Sequence, residues 1–539
     1  MATPPEPAPS PPATATPAAA TSSATSSPSV PPTPASSLRA TLLSPFGPLR
    51  EPGVLRRDLL ASLVVFLVAL PLCVGVAVAS GVPAELGLVT GIVGGLVVGM
   101  LPGSALQVSG PAAGLTVLVF EAVREFGLGM LGAIVLLTGL LQVGLGLLRC
   151  GRWFRAISVS VVQGMLAGIG LVLILGQLYS MAGADQPLSG TAKVTGLPGL
   201  FADTVTSPAA LSAAGVGLGT VAVLLLWPKL PAKVRVVPAP LAAVALATAV
   251  TAVLSLDLKT VTVRGLADAI QPPGATELAG LGSLAVLGTV LAFTLIASAE
   301  SLFSAAAVDR MHDGPRTHYD KELVAQGVGN TVCGALGALP MTAVIVRSSA
   351  NVQAGARTPL SRILHGGWLL LFAVLLPVAL GIIPLAALAG VLVHAGFKLL
   401  PVKELLPLAR AHRGEAVVLA TTAVAILVTN MFEGVLIGLA LAVLKSAWET
   451  SQAHVSVREL TGGRLVVTLT GNATFLRLPR ILETLEALPK DRPIELDLTA
   501  THHLDHACRT TLENWAVRHN DSDTEAVRMT TRPVAGPAD

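Results

Sequence analysis

Two charged residues of this chain stand where a charge is expensive. Arg347 lies in LPMTAVIVRSSANV, which begins at Leu339, and Glu300 lies in LIASAESLFSAAAVDRM, which begins at Leu295. A bare charge inside such a stretch costs at least a few kcal/mol in lipid, so each needs a counter-group or a task. Pro340 lies near the start of the first stretch, ahead of its apolar part, and Pro111 occupies a matching place in LPGSALQVSGPAAG, which begins at Leu101. Proline and small residues leading into a short apolar segment describe a helix that starts in mid-membrane. Such a start aims free N–H groups and the positive end of the helix dipole at whatever lies in front of it. Two such ends facing each other make an anion site without a buried lysine.

The candidate substrate-binding residues are therefore Gly110, Ala112 and Ala113 at one helix start, and Val344, Ile345, Val346, Arg347 and Ser348 at the other. The backbone supplies the donors, so apolar side chains are no objection. Arg347 either adds its charge beside the dipole end, facing a water-filled cavity, or caps carbonyls or pairs with a carboxylate. Glu300 has Ser304 one turn later on the same helix face. A carboxylate with a hydroxyl neighbour holds Na⁺ or a proton, which makes the two residues candidates for cation coupling; an ion pair between Glu300 and Arg347 is the alternative. The cluster His502, His503, Asp505, His506 reads as a solvated loop, and the four cysteines lack metal-ligand spacing. Neither a Walker motif, nor a nucleophile elbow, nor a dinucleotide-binding glycine pattern occurs in a fitting context. The expectation is a protein that is not an enzyme, with no metal and no cofactor beyond a coupling ion, Na⁺ or H⁺.

These residues must be held by membrane helices. The 539 residues are 52% hydrophobic and 12% charged, about half the charged share of a soluble domain. Apolar stretches approach the roughly 17–25 residues that span a bilayer. They fall near 58–80, 84–101, 111–126, 129–148, 155–182, 209–227, 236–255, 281–307, 322–338, 343–355, 363–382, 385–399, 415–431 and 433–448. The two interrupted segments are third and tenth. Seven is odd, so the second half would begin on the opposite face. That pattern predicts two inverted seven-helix repeats, and paired interrupted segments mark a transporter's binding site. With the N-terminus inside, the loops outside hold four Lys and Arg and those inside hold sixteen, so the positive-inside rule places both termini in the cytoplasm.

Residues 1–52, mostly Pro, Ala, Ser and Thr, cannot bury a core and are expected to be disordered. The transport domain is assigned to 53–450. Beyond it the pattern changes: RLVVTLTG and IELDLTA alternate like strands, and LPRILETLEAL and CRTTLENWAV are amphipathic at helical spacing. This predicts a small α/β domain over 451–520, followed by a disordered tail over 521–539.

The residues together resemble the SulP family of anion transporters. VSGPAAGLTV resembles the entry to that family's third helix, and ELVAQGVGNTVCGALGALPMTAVIVRSSANVQAGARTPLS its signature across helices nine to eleven. ALPLCVGVAVASGVP and SAESLFSAAAVDRM are similar to the first and eighth helices of its bicarbonate-transporter branch, where the acid matching Glu300 is an aspartate that holds sodium. The resemblance implies fourteen transmembrane segments in two inverted repeats, a core domain moving against a gate domain, and a cytoplasmic STAS domain. The function so expected is secondary active transport of a small inorganic oxyanion, bicarbonate or sulfate, across the plasma membrane, coupled to a cation. A dicarboxylate or nucleobase carrier of the same fold, an anion channel and a membrane sensor are the alternatives. The expected partners are the anion, the lipid bilayer and a second copy of the chain, with no nucleic acid.

Overall fold

The computed structural model describes residues 53–530, apart from 153–157, 232, 236, 264, 377, 461–462, 490–491 and 521–526. The expected disorder of 1–52 concerns residues outside that range. Each of the fourteen apolar segments carries a helix. In the first half these are α1 (Val54–Ala79), α2 (Ala84–Leu96), α3 (Thr116–Phe126), α4 (Leu128–Leu147), α5 (Val159–Met181), α6 (Pro208–Leu226) and α7 (Ala239–Val253). In the second half they are α8 (Leu284–Val308), α9 (Tyr319–Ala335), α10 (Ile345–Gln353), α11 (Leu360–Leu375), α12 (Leu385–Leu399), α13 (Arg413–Val428) and α14 (Met431–Thr450). Among the described residues, seven helical stretches are long and apolar enough to cross a membrane, and α2, α7 and α11 are shorter apolar helices. α3 and α10 have only 11 and 9 residues, against the roughly 20 a crossing needs. Local chemistry sets the helix starts: the Ser283 hydroxyl accepts from Val286 N at 3.2 Å to cap α8, and Asn430 Oδ1 accepts from Glu433 N at 2.9 Å to cap α14.

The packing repeats with a shift of seven helices. α4 lies along α9, and its counterpart α11 lies along α2; α5 packs on α13 as α12 packs on α6; α6 meets α7 as α13 meets α14. Small residues allow the closest of these approaches. A Cβ on Gly95 of α2 would stand 2.5 Å from the Gly366 Cα of α11, so both positions need glycine for the backbones to touch. Two groups result: α1–α4 with α8–α11, and α5–α7 with α12–α14.

The C-terminal region has a mixed sheet. β3 (Ala453–Glu459) pairs antiparallel with β4 (Leu465–Ala473), and β4 pairs in parallel with β5 (Ile494–Asp497) and β6 (Thr501–Leu504). α15 (Leu478–Glu486) and α16 (His506–Asn520) cover it, with Val467, Leu469, Ile481, Leu496, Leu512 and Trp515 in the core. One expectation is corrected here. Arg528–Thr530 of the presumed disordered tail forms β7, in parallel with β5, because β5 otherwise leaves an unpaired edge and Val527 tucks into the core. Three residues are too few to show a period in sequence. The histidine cluster is likewise more ordered than a loop: His502 and His503 sit in β6 and His506 opens α16. Asp505 accepts from Phe475 N at 2.6 Å and Cys508 N at 2.7 Å, and the described residues hold no group of three metal ligands.

Candidate functional site

The chain on the N-terminal side of each half-helix is a three-residue strand. β1 (Ser109–Pro111) and β2 (Met341–Ala343) run antiparallel with Ser109 opposite Ala343 and Pro111 opposite Met341. The antiparallel register makes the chain leave in opposite directions, so the helices that follow start at opposite ends of the ribbon with their N-termini turned back towards it. After β1 comes a 3-10 turn over Ala113–Leu115 and then α3; after β2 comes α10 directly.

Strand edges inside an apolar medium must find partners, and polar side chains from three helices supply them. Asn330 of α9 donates to the Met341 carbonyl at 3.1 Å and accepts from Met341 N at 2.7 Å. Its amide also donates to Gln142 of α4 at 2.7 Å, and Gln142 donates to Ser298 of α8 at 3.1 Å. The Ser301 hydroxyl accepts from Ala343 N at 3.3 Å, and Gln326 donates to Ser109 Oγ at 2.7 Å. Sequence reading missed this scaffold. Its signal was the set of amides and hydroxyls inside the apolar segments four, eight and nine.

The candidate residues divide between the wall and its support. Ser348 Oγ accepts from Val108 N at 2.9 Å and donates to the Val344 carbonyl at 2.8 Å; it is fully buried and clips β1 to α10. The Val344 N–H is occupied by the Val108 carbonyl at 2.9 Å. The free first-turn donors of α10 are therefore those of Ile345, Val346 and Arg347. Ala112 is buried behind the wall, and Gly110 makes room for Arg347: a Cβ there would lie 2.1 Å from Nη1.

Arg347 is fully buried. Its Nη2 donates to the Pro111 carbonyl at 3.2 Å, while Nε and Nη1 have no hydrogen-bond partner among the described residues. The side chain thus reaches across to the chain that feeds the other half-helix. Glu300 sits opposite, packed on the 3-10 turn: a Cβ on Gly114 would meet its Oε1 at 2.5 Å. Its Oε2 has no hydrogen-bond partner among the described residues. None of the ion pairs within 4.0 Å among those residues joins Glu300 to Arg347, so the alternative of an internal salt bridge is not what the structure has.

A cavity of about 550 Å³ opens in front of both helix starts, within the size range of small-ligand sites. Ala113 and Gly114 bound it on one side, Val344–Arg347 on another, and Glu300 with Ser304 on a third. Ile345 and Val346 are 39% and 36% exposed, so the α10 end is open. The far wall belongs to the second helix group: Val162 and Met165 of α5, and Lys398 of α12. Lys398 reads in sequence as a loop charge; the fold turns it into the cavity. Among the described residues, the arrangement gives an anion two dipole ends and two cationic side chains, Arg347 and Lys398, with a carboxylate beside them.

A profile of the sulfate permease family matches residues 55–422. The putative sulfate transporter YvdB of Bacillus subtilis is 27% identical over 396 residues, covering 72% of each chain. The bicarbonate transporter BicA of Picosynechococcus is 27% identical over 379 residues, covering 64% of this chain and 61% of its own. Among solved structures, the transmembrane domain of a cyanobacterial BicA superposes with a TM-score of 0.60 at 24% identity, over 73% of this chain and 98% of that one. SLC26A9 superposes with a TM-score of 0.72 at 14% identity, over 93% and 88%. The chain belongs to the sulfate permease family, and is a membrane transport protein rather than an enzyme.

Proposed function

We propose that this protein is a secondary active transporter of a small inorganic oxyanion, sulfate or bicarbonate, coupled to Na⁺ or H⁺. The observation that carries the reading is the convergence of two half-helix starts on one cavity with Glu300 facing them. Each helix end carries about half an elementary positive charge, so together they neutralise most of a monovalent anion. Glu300 and the adjoining Ser304 hydroxyl offer oxygen ligands to a cation bound beside that anion, which ties the two movements together.

Alternating access follows from where the walls lie. One side of the cavity belongs to α1–α4 and α8–α11, the other to α5–α7 and α12–α14, so a displacement of one group against the other opens and closes it. Fourteen crossings in two inverted repeats, both termini in the cytoplasm, account for the seven-helix shift in packing and for the basic loops. On that orientation the cavity, which extends to Met311 and Lys398, opens inward. A second cavity, lined by Arg124 and Lys259, lies at the opposite ends of the helices. We place the protein in the plasma membrane as a homodimer, with the C-terminal domain a cytoplasmic STAS domain.

Uptake of labelled sulfate and of labelled bicarbonate into proteoliposomes tests the reading, with imposed sodium and proton gradients compared. Accumulation of one anion above its gradient, driven by one cation, is expected. Downhill flux alone, insensitive to both gradients, would mean a channel.

A further inference from the structure

A cleft lies where α14 hands over to the C-terminal sheet. Gln452 and His454 at the start of β3 form one wall; Arg477, which precedes α15, forms the other with Arg480 and Thr484. Its volume is about 410 Å³, five of its eight lining residues are polar or basic, and none is acidic. Two guanidiniums, an imidazole, a hydroxyl and an amide line it together with the apolar Ala453, Val455 and Ile481. This donor set fits phosphate oxygens, which planar guanidiniums engage in pairs.

Arg477 is fixed in place. Its Nε donates to the Ser451 carbonyl at 2.7 Å, and its guanidinium stands 4.6 Å from the centre of the Trp448 ring. Trp448 is half exposed near the end of α14, a stretch long and apolar enough to cross a membrane. Tryptophan at such a position marks the level of the lipid headgroups. Arg480 is exposed and makes no ion pair with any described acid, and the nearby Glu449 is taken by Lys445 at 2.7 Å. The cleft is therefore an unneutralised basic site at the height of the headgroups.

We infer that this cleft binds a phosphate-bearing group, supplied by the headgroup of an anionic phospholipid or by a phosphate ester from solution. Its readout is binding, so it stands or falls separately from the transport reading.

The full chain is placed in phosphatidylcholine nanodiscs with and without phosphatidylglycerol, and retained lipid is counted by native mass spectrometry. In parallel, glycerol 3-phosphate and inorganic phosphate are titrated calorimetrically. Wild type is compared with R480A, which removes a side chain that makes no ion pair among the described residues, and with H454A/R480A. R480A is expected to weaken binding about tenfold, the loss of one charge-assisted contact, and the double variant to weaken it further. Retained phosphatidylglycerol lost in R480A assigns the source to the bilayer. Saturable binding of glycerol 3-phosphate without lipid enrichment assigns it to solution. The inference is overturned if no phosphate compound binds, or if R480A and the double variant, folded with unchanged melting, bind as wild type does.

Discussion

The Arg347 guanidinium donates to the Pro111 carbonyl at 3.2 Å, across 236 residues of chain. The arginine at the start of one half-helix is thereby anchored on the strand that leads into the other. Its charge is delivered to the junction of the two strands, where both dipoles point, and among the described residues Nε and Nη1 have no hydrogen-bond partner and no acid pairs with the group. A buried guanidinium with free donors is costly unless something negative visits it.

Arg347→Ala is expected to weaken anion binding about ten- to a hundredfold, the loss of a charge-assisted contact of roughly 1.5–3 kcal/mol. Arg347→Lys restores the charge but not the planar fork and should recover only part of the loss. Gly110→Ala, whose Cβ would stand 2.1 Å from Nη1, should reproduce most of the arginine phenotype by displacing the guanidinium. Gly144→Ala, with nothing within 4 Å, is the matched control. Anion affinity of the purified variants, read by calorimetry beside their melting curves, decides; unchanged affinity in a folded Arg347→Ala would remove the residue from the site.

Glu300→Gln keeps the shape of the side chain and deletes its charge. Concentrative uptake and its dependence on the driving cation should disappear together, while exchange of labelled for unlabelled anion persists. If the ion is sodium, the wild type needs sodium at every pH. With a proton as the ion, uptake rises as the external pH falls and Glu300→Gln flattens the profile. Accumulation by Glu300→Gln with an unchanged cation requirement would contradict the coupling role.

Lys398 lines the cavity from the helix group opposite Glu300. A lysine there raises the local anion concentration over a Debye length of about 10 Å at 0.1 M salt. Lys398→Ala should raise the KM for uptake several-fold at low ionic strength, and the gap from wild type should narrow as salt rises. Lys398→Arg should behave as wild type. A KM that does not change with charge would make Lys398 a bystander.

In the C-terminal domain, burial together with the Asp505 carboxylate pushes the Cys508 thiol up to about 12. A raised thiol pKa leaves the neutral form dominant throughout the physiological range, so no thiolate is offered to alkylating reagents. Iodoacetamide at pH 8 should spare Cys508 in the folded protein and modify it in denaturant, with half-buried Cys150 reacting first. Rapid native labelling of Cys508, located by peptide mapping, would show that the domain opens readily.

The longer helices were legible because an apolar run of bilayer-spanning length can hardly be anything but a helix. The two half-helix starts were legible for a related reason: Pro111 and Pro340 interrupt runs that otherwise continue. What stayed hidden depends on contacts far apart in sequence. Nothing near Ser348 says that its hydroxyl is engaged by Val108, or that Val344 loses its N–H to the same residue. Asn330 and Gln142 are single amides in apolar runs, the commonest form of interhelical glue, and only the strand edges they satisfy give them a purpose. Lys398 failed for the opposite reason. A basic residue at a helix end is what the topology rule predicts in any case, so its turn into the cavity left no mark in the sequence. β7 was missed because three residues carry no period.

The central claim is that the anion lies between the two half-helix starts, and protection from chemical modification tests it most directly. Cysteine is introduced at Val346, and separately at Ala113, in a chain where half-buried Cys150 is replaced by serine. The labelling rate with a small charged thiol reagent is then measured with and without saturating sulfate or bicarbonate. The account predicts that the transported anion slows labelling at both positions at least several-fold, while a cysteine at Ile382, exposed on another surface, is unaffected. Equal labelling rates at Val346 and Ala113, with and without an anion that the same protein carries, would place the substrate somewhere else.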